Sequence, residues 1–94
     1  MMKNKPHDTL HVRVEYFTGH EDGQEDVGHP YYVASCEEIV AVTDGRTWGD
    51  LLKNIHEMVQ ASLEGEDTVN SYNLVPNPRI LITMELPTDY AEIA

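Results

Sequence analysis

Over residues 10–17 apolar and polar positions alternate. Leu10, Val12, Val14 and Tyr16 fall on one side, with His11, Arg13 and Glu15 on the other, the pattern of a half-buried strand. Residues 18–29, rich in Gly, Asp and Glu, lose all periodicity and read as a long solvated hairpin loop. The pattern resumes at 30–36, where Tyr31, Tyr32 and Val33 are strong strand formers. Tyr31 and Tyr32 must point to opposite faces, so one is expected in the core and the other open to a partner. Glu37 and Glu38 interrupt as a tight turn, and Ile39-Val40-Ala41-Val42-Thr43 is expected as a short third strand ended by Asp44-Gly45.

From Trp48 to about Glu64 the period changes to that of a helix. Leu51, Leu52, Ile55, Met58, Val59, Ser62 and Leu63 fill one arc centred on Trp48, which is read as a core anchor. Asp50, Lys53, Asn54, Glu57, Gln60 and Glu64 fill the other arc. Gly45 is expected to supply a turn and Thr47 the N-cap. Asp50 stands where a capping box would place its acid, and Gly65 where a left-handed C-cap is expected. Residues 66–77 read as a loop. Residues 78–86 then alternate again, with Ile80, Ile82, Met84 and Leu86 on one face and Arg79, Leu81, Thr83 and Glu85 on the other.

These elements define an α+β fold, βββαβ. Three antiparallel strands and one returning helix bring the last strand parallel to the first, where a right-handed crossover sets it beside that strand. The expectation is a four-stranded, mostly antiparallel sheet in order 3-2-1-4, with one amphipathic helix on one face. Its boundaries are a flexible lead-in over 1–9, a single domain over 10–87 and a tail over 88–94. The opposite face carries Arg13, Glu15, Arg79 and Glu85, but also Phe17 and Leu81. A one-helix domain with such a face, or a free sheet edge, is expected to form a homodimer.

Composition narrows the function. The chain has 94 residues, with 17 acids against 6 Lys and Arg, a formal net charge of -11. Such a surface repels a phosphate backbone, so direct nucleic-acid binding is not expected. The same field attracts a basic protein and speeds its encounter. Glu21, Asp22, Glu25, Asp26, Glu37 and Glu38 are the candidate contacts for such a partner, chosen on charge and exposure. With no apolar run of transmembrane length and no signal-peptide pattern, a cytoplasmic protein without a membrane partner is expected. Cys36, the lone cysteine, lies in an apolar strand and reads as a buried hydrophobe rather than a nucleophile.

Catalysis is not expected. A metal-dependent nuclease needs several carboxylates converging on one point, and Glu57 projects from the helix arc opposite the core while Glu15 and Glu85 belong to the sheet. His7, His11, His20, His29 and His56 lack compact ligand spacing. The loop Asp22-Gly23-Gln24-Glu25-Asp26 has alternating acids but not the downstream glutamate of a calcium loop. No metal or cofactor is expected.

At Tyr31-Tyr32-Val33-Ala34-Ser35 and at Gly45-Arg46-Thr47-Trp48-Gly49-Asp50-Leu51 the chain resembles the HicB-like antitoxin family. That family's amino-terminal domain shows a Tyr-Val-Ala strand, a Gly-x-Thr/Ser turn with an acid three residues on, and an amphipathic helix. Tyr32, Val33, Ala34, Gly45, Thr47 and Asp50 are the positions that carry the motif. The closing strand is similar as well, so the resemblance spans residues 10–87. It implies a degraded ribonuclease H-like sheet without nuclease activity, and a protein that masks a small basic ribonuclease toxin, HicA. Longer members carry a carboxy-terminal DNA-binding domain; none is expected after the last strand here, so operator binding is not expected to carry over. In place of the family's Pro-Asp-x-Pro-Gly-Cys turn stands Cys36-Glu37-Glu38-Ile39-Val40, and residues 19–28 form an acidic insertion in the first hairpin. These departures leave a second reading open, a stand-alone dimeric interaction module of the same fold with no toxin partner.

Overall fold

A computed structural model describes residues 5–20, 23 and 26–86. The order is β1 (His7–Phe17), β2 (Tyr31–Cys36), β3 (Ala41–Gly45), α1 (Trp48–Leu63), α2 (Thr68–Tyr72) and β4 (Leu74–Met84). The four strands form one mixed sheet in the order β3-β2-β1-β4, as the sequence implies. β1 pairs antiparallel with β2 and parallel with β4, and β2 pairs antiparallel with β3. No helix is long and apolar enough to cross a membrane.

Register follows the alternation. Val12 lies opposite Cys36, Val14 opposite Ala34 and Tyr16 opposite Tyr32. On the other side Leu10, Val12 and Val14 meet Ile80, Ile82 and Met84. All of these share the face covered by α1, because directly paired residues point the same way. Leu51, Ile55 and Val59 descend from the helix onto that face, closing a core with Leu10, Val12, Val14, Ala34, Cys36, Ile39 and Leu74. Thr47 caps α1: its hydroxyl accepts the Asp50 N–H at 3.1 Å. Gly65, at φ 74, follows the helix end as expected.

Several sequence expectations shift. The third strand is Ala41–Gly45 rather than 39–43, because residues 37–40 form the turn: the Val40 N–H bonds the Glu37 carbonyl at 3.2 Å, and Val40 sits at φ 49. Ile39 turns inward and is buried, leaving Val40 almost fully exposed. Gly45 is not a turn residue. It is the last residue of β3, opposite Tyr32, and a Cβ there would meet the Leu51 backbone nitrogen at 2.5 Å and its Cα at 2.7 Å. Glycine stands there because strand and helix backbones approach that closely.

Residues 66–77 are not simply a loop. Asp67 caps α2, its carboxylate accepting the Asn70 N–H at 3.3 Å. Asn73, left-handed at φ 54, ends it with its N–H on the Val69 carbonyl at 3.0 Å. β4 begins at once with Leu74, which is fully buried. β1 correspondingly starts at His7, inside the expected lead-in, its N–H on the Asn73 carbonyl at 2.8 Å. Between the pairs His7–Leu74 and Thr9–Arg79 the register jumps. Pro76 and Pro78, which have no N–H to give a ladder, lie in that excursion.

Trp48 is a rim residue rather than a core anchor, 41% exposed. Its ring meets Tyr32 edge-on, centroids 5.8 Å apart. The buried positions of the arc are instead Leu51, Ile55 and Val59.

Candidate interaction surface

The six acidic positions do not form one patch. Glu21, Asp22 and Glu25 lie outside the described residues. Asp26 is exposed at the base of the first hairpin loop, 2.9 Å from the His20 ring and accepting the Gly28 N–H at 2.8 Å. These bonds, the one from His20 foremost, hold its carboxyl below the usual range. The base itself is closed by the Val27 N–H on the Gly19 carbonyl at 3.0 Å. Gly19, at φ 94, has room for no side chain, since a Cβ would overlap the His29 carbonyl.

Glu37 is exposed at the far end of the sheet. Glu38 beside it is turned inward: one carboxylate oxygen accepts the His11 N–H at 3.0 Å, and the other lies 2.7 Å from the His11 ring nitrogen. The Cys36 thiol points at the same carboxylate from 3.5 Å. β2 ends at Cys36, so the side chain of Glu38 supplies to β1 the acceptor that the next β2 residue would have given. Partial burial disfavours charge on Glu38, but the His11 bonds outweigh it and keep the carboxyl below its ordinary value. Burial, with that carboxylate adjacent, pushes the Cys36 thiol up, which keeps it protonated and unreactive.

The family-motif positions are placed by the fold rather than presented to a partner. Tyr32, Ala34 and Gly45 are buried. Thr47 and Asp50 make the cap. Val33 alone of the strand motif looks to the open face, opposite Glu15 and Asp44. That face is mixed. Phe17 stacks on Tyr31 at 5.2 Å, Val42 and Leu81 stand exposed, and Arg13, Glu15 and Glu85 border one shallow recess.

Two grooves flank α1. One of about 600 Å³ runs past its first turns and is lined by His29, Tyr31, Arg46 and Lys53 together with Asp44 and Asp50, so neither sign of charge dominates. The other, about 590 Å³, lies between the helix's second half and β4, lined by Val59, Leu63, Pro76, Pro78 and Ile80. It exists because α1 lies chiefly over β3 and β2 while the short α2 packs on β4. Ile80, Ile82 and Met84 are therefore only partly covered.

Among the described residues no group of three or more His, Cys, Asp or Glu side chains is placed to hold a metal ion. β3 and β4 are the edge strands of the sheet. The sequence points to the acidic loops and to a free sheet edge without saying which edge. A signal for the β4 edge was present: residues 68–84 contain no Asp or Glu, the longest such stretch in the chain. Compared with protein-family models, curated proteins and solved structures, the chain matches none.

Proposed function

We propose that this chain is a HicB-like antitoxin-type protein, non-enzymatic and cytoplasmic, that binds and masks a small basic ribonuclease of the HicA kind. The observation that carries this reading is the joint Gly45-Arg46-Thr47-Trp48-Gly49-Asp50. It closes β3 and caps α1 within a 3-2-1-4 sheet, and its residues are among those on which the resemblance rests. The net charge of -11 supplies attraction for a basic partner. Exposed acids at both ends of the sheet, Asp26 and Glu37, steer it without being buried in the contact. Glu38 acts differently: its charge is committed to His11, so it shapes the turn that a partner would meet.

Tagged protein purified from its native host tests this, with mass spectrometry of what stays bound. A small basic protein at near-equal stoichiometry supports the masking role and supplies the ribonuclease to assay. Recovery of this chain alone favours the stand-alone interaction module, the reading to which the acid-free β4 edge lends weight.

A further inference from the structure

We infer that a second copy of this chain docks on the β4 edge, antiparallel, with Ile82 on the twofold axis. The inference goes beyond the masking role and holds whether or not a basic partner exists. A chain this acidic meets its own copy at least electrostatic cost where it carries no acid. Among the described residues the outer edge of β4 meets this condition over its whole length, lying within the acid-free stretch 68–84, with Glu85 the first acid after it.

The local chemistry sets the extent of pairing. Pro76 and Pro78 cannot donate to a new ladder and block the first part of the strand. Residues 79–86 contain no proline or glycine, and Arg79 is followed by Ile80, Leu81, Ile82 and Thr83. An edge of this kind, left open, is a template for another strand.

Charge and face then select the register. Paired residues of neighbouring strands share a face, and β4 has Ile80, Ile82 and Met84 on the helix side with Arg79, Leu81 and Thr83 on the other. Glu85, one residue past the strand's end, borders the open face beside Arg13 and Glu15, and the new pairing would extend the strand to it. With Ile82 opposite its own copy, Ile80 meets the partner's Met84 and Leu81 meets the partner's Thr83. Arg79 then meets the partner's Glu85, twice by symmetry. A shift by two residues loses both ion pairs. The half-covered Ile80, Ile82 and Met84 would become the centre of a joint core between the two helix-side grooves. Because both copies use the same edge, the contact is isologous and closes as a dimer. Arg79 is available for this exchange: its present partner is Asp8, at 3.3 Å, with both side chains mostly exposed.

The test is a charge swap at two exposed positions, read by sedimentation equilibrium over about 1–100 µM protein. Wild type should show twice the 10.7 kDa of the chain. Arg79→Glu and Glu85→Arg should each weaken the dimer about tenfold, since two attractive cross-strand pairs become repulsive. The double variant Arg79→Glu/Glu85→Arg should recover it. Arg79→Glu also places like charge beside Asp8, so Glu85→Arg and the recovery carry the decision, with circular dichroism confirming the fold of each. A wild type that stays monomeric, single reversals that dimerise like wild type, or a folded double variant that fails to recover would each overturn the proposal. The outcome is independent of the host co-purification, which scores a second polypeptide.

Discussion

Replacing Gly45 by alanine tests how α1 is seated on the sheet. The added methyl would lie 2.5 Å from the Leu51 nitrogen and 2.7 Å from its Cα, against 3.4–4 Å for ordinary contact. Both neighbours are backbone within the second turn of the helix, so no side-chain rotamer relieves the overlap. Strand and helix must separate by about 0.7–1 Å, and a gap of that size forfeits roughly a quarter to a half of each contact it opens. Leu51, which is fully buried, has a gross contact energy of about 4–12 kcal/mol at 40–60 contacts of 0.1–0.2 kcal/mol each. Losing a quarter of it costs about 1–3 kcal/mol, and displaced neighbours bring the total to about 2–4 kcal/mol. The stiffer unfolded chain of an alanine variant returns about 0.4–1 kcal/mol. Against a total stability of about 5–14 kcal/mol for a chain of this length, the loss is large. Urea unfolding followed by circular dichroism should show the midpoint fall at constant slope, and the melting temperature should drop by about 10–20 °C. Truncating the opposing side chain, in Gly45→Ala/Leu51→Ala, should not restore stability, since the clash is with backbone. A single variant within about 1 kcal/mol of wild type would refute the close-approach account, leaving no more than an ordinary Gly-to-Ala difference.

At Val40, a β-branched residue held at φ 49 and 91% exposed, substitution by asparagine should stabilise the protein by about 1 kcal/mol, because left-handed backbone strains valine and suits asparagine; urea unfolding measures it. Glu38 has a carboxyl held below its ordinary value in the folded state. Its contribution is therefore complete above the unfolded-state value and lost as pH falls through the lower folded one. Glu38→Gln should be less stable than wild type near neutrality by about 1 kcal/mol and should flatten the acid limb of a stability–pH curve; equal slopes for the two proteins would contradict the His11–Glu38 link. Thr47→Ala removes the acceptor for the Asp50 N–H and should cost about 1 kcal/mol, with amide exchange of the first turn of α1 accelerated.

Much of the fold was legible because it is written in local period. The alternation at residues 10–17 and 79–84, the helical arc after Trp48 and the Thr47 cap each depend on residues close in sequence, and each lies within the element expected, although β1 starts earlier, at His7, and β4 runs over Leu74–Met84 rather than 78–86. Chain direction and the handedness of the crossover then leave one sheet order, 3-2-1-4, for the four strands. The candidate surface was less legible. Acids can be counted along the chain, but whether one is free, as Glu37 is, or bound to His11, as Glu38 is, depends on a residue 27 positions away.

What the sequence by itself determined was the periodicity, the number and order of the strands, and a formal net charge of -11. What only the tertiary structure decided was distance between elements remote in sequence. Gly45 looks like a turn residue in isolation because glycine commonly serves there; its use in close packing appears only once α1 lies over β3. Leu74 sits among polar loop residues, and nothing local marks it as core; it is buried because α2 returns the chain to the sheet one residue earlier. Trp48 has the right angle on the helical wheel, yet it is 41% exposed and meets Tyr32 edge-on, while Leu51 and Ile55 take the core. Period fixes the direction in which a side chain points, and only the neighbouring element fixes what it meets there.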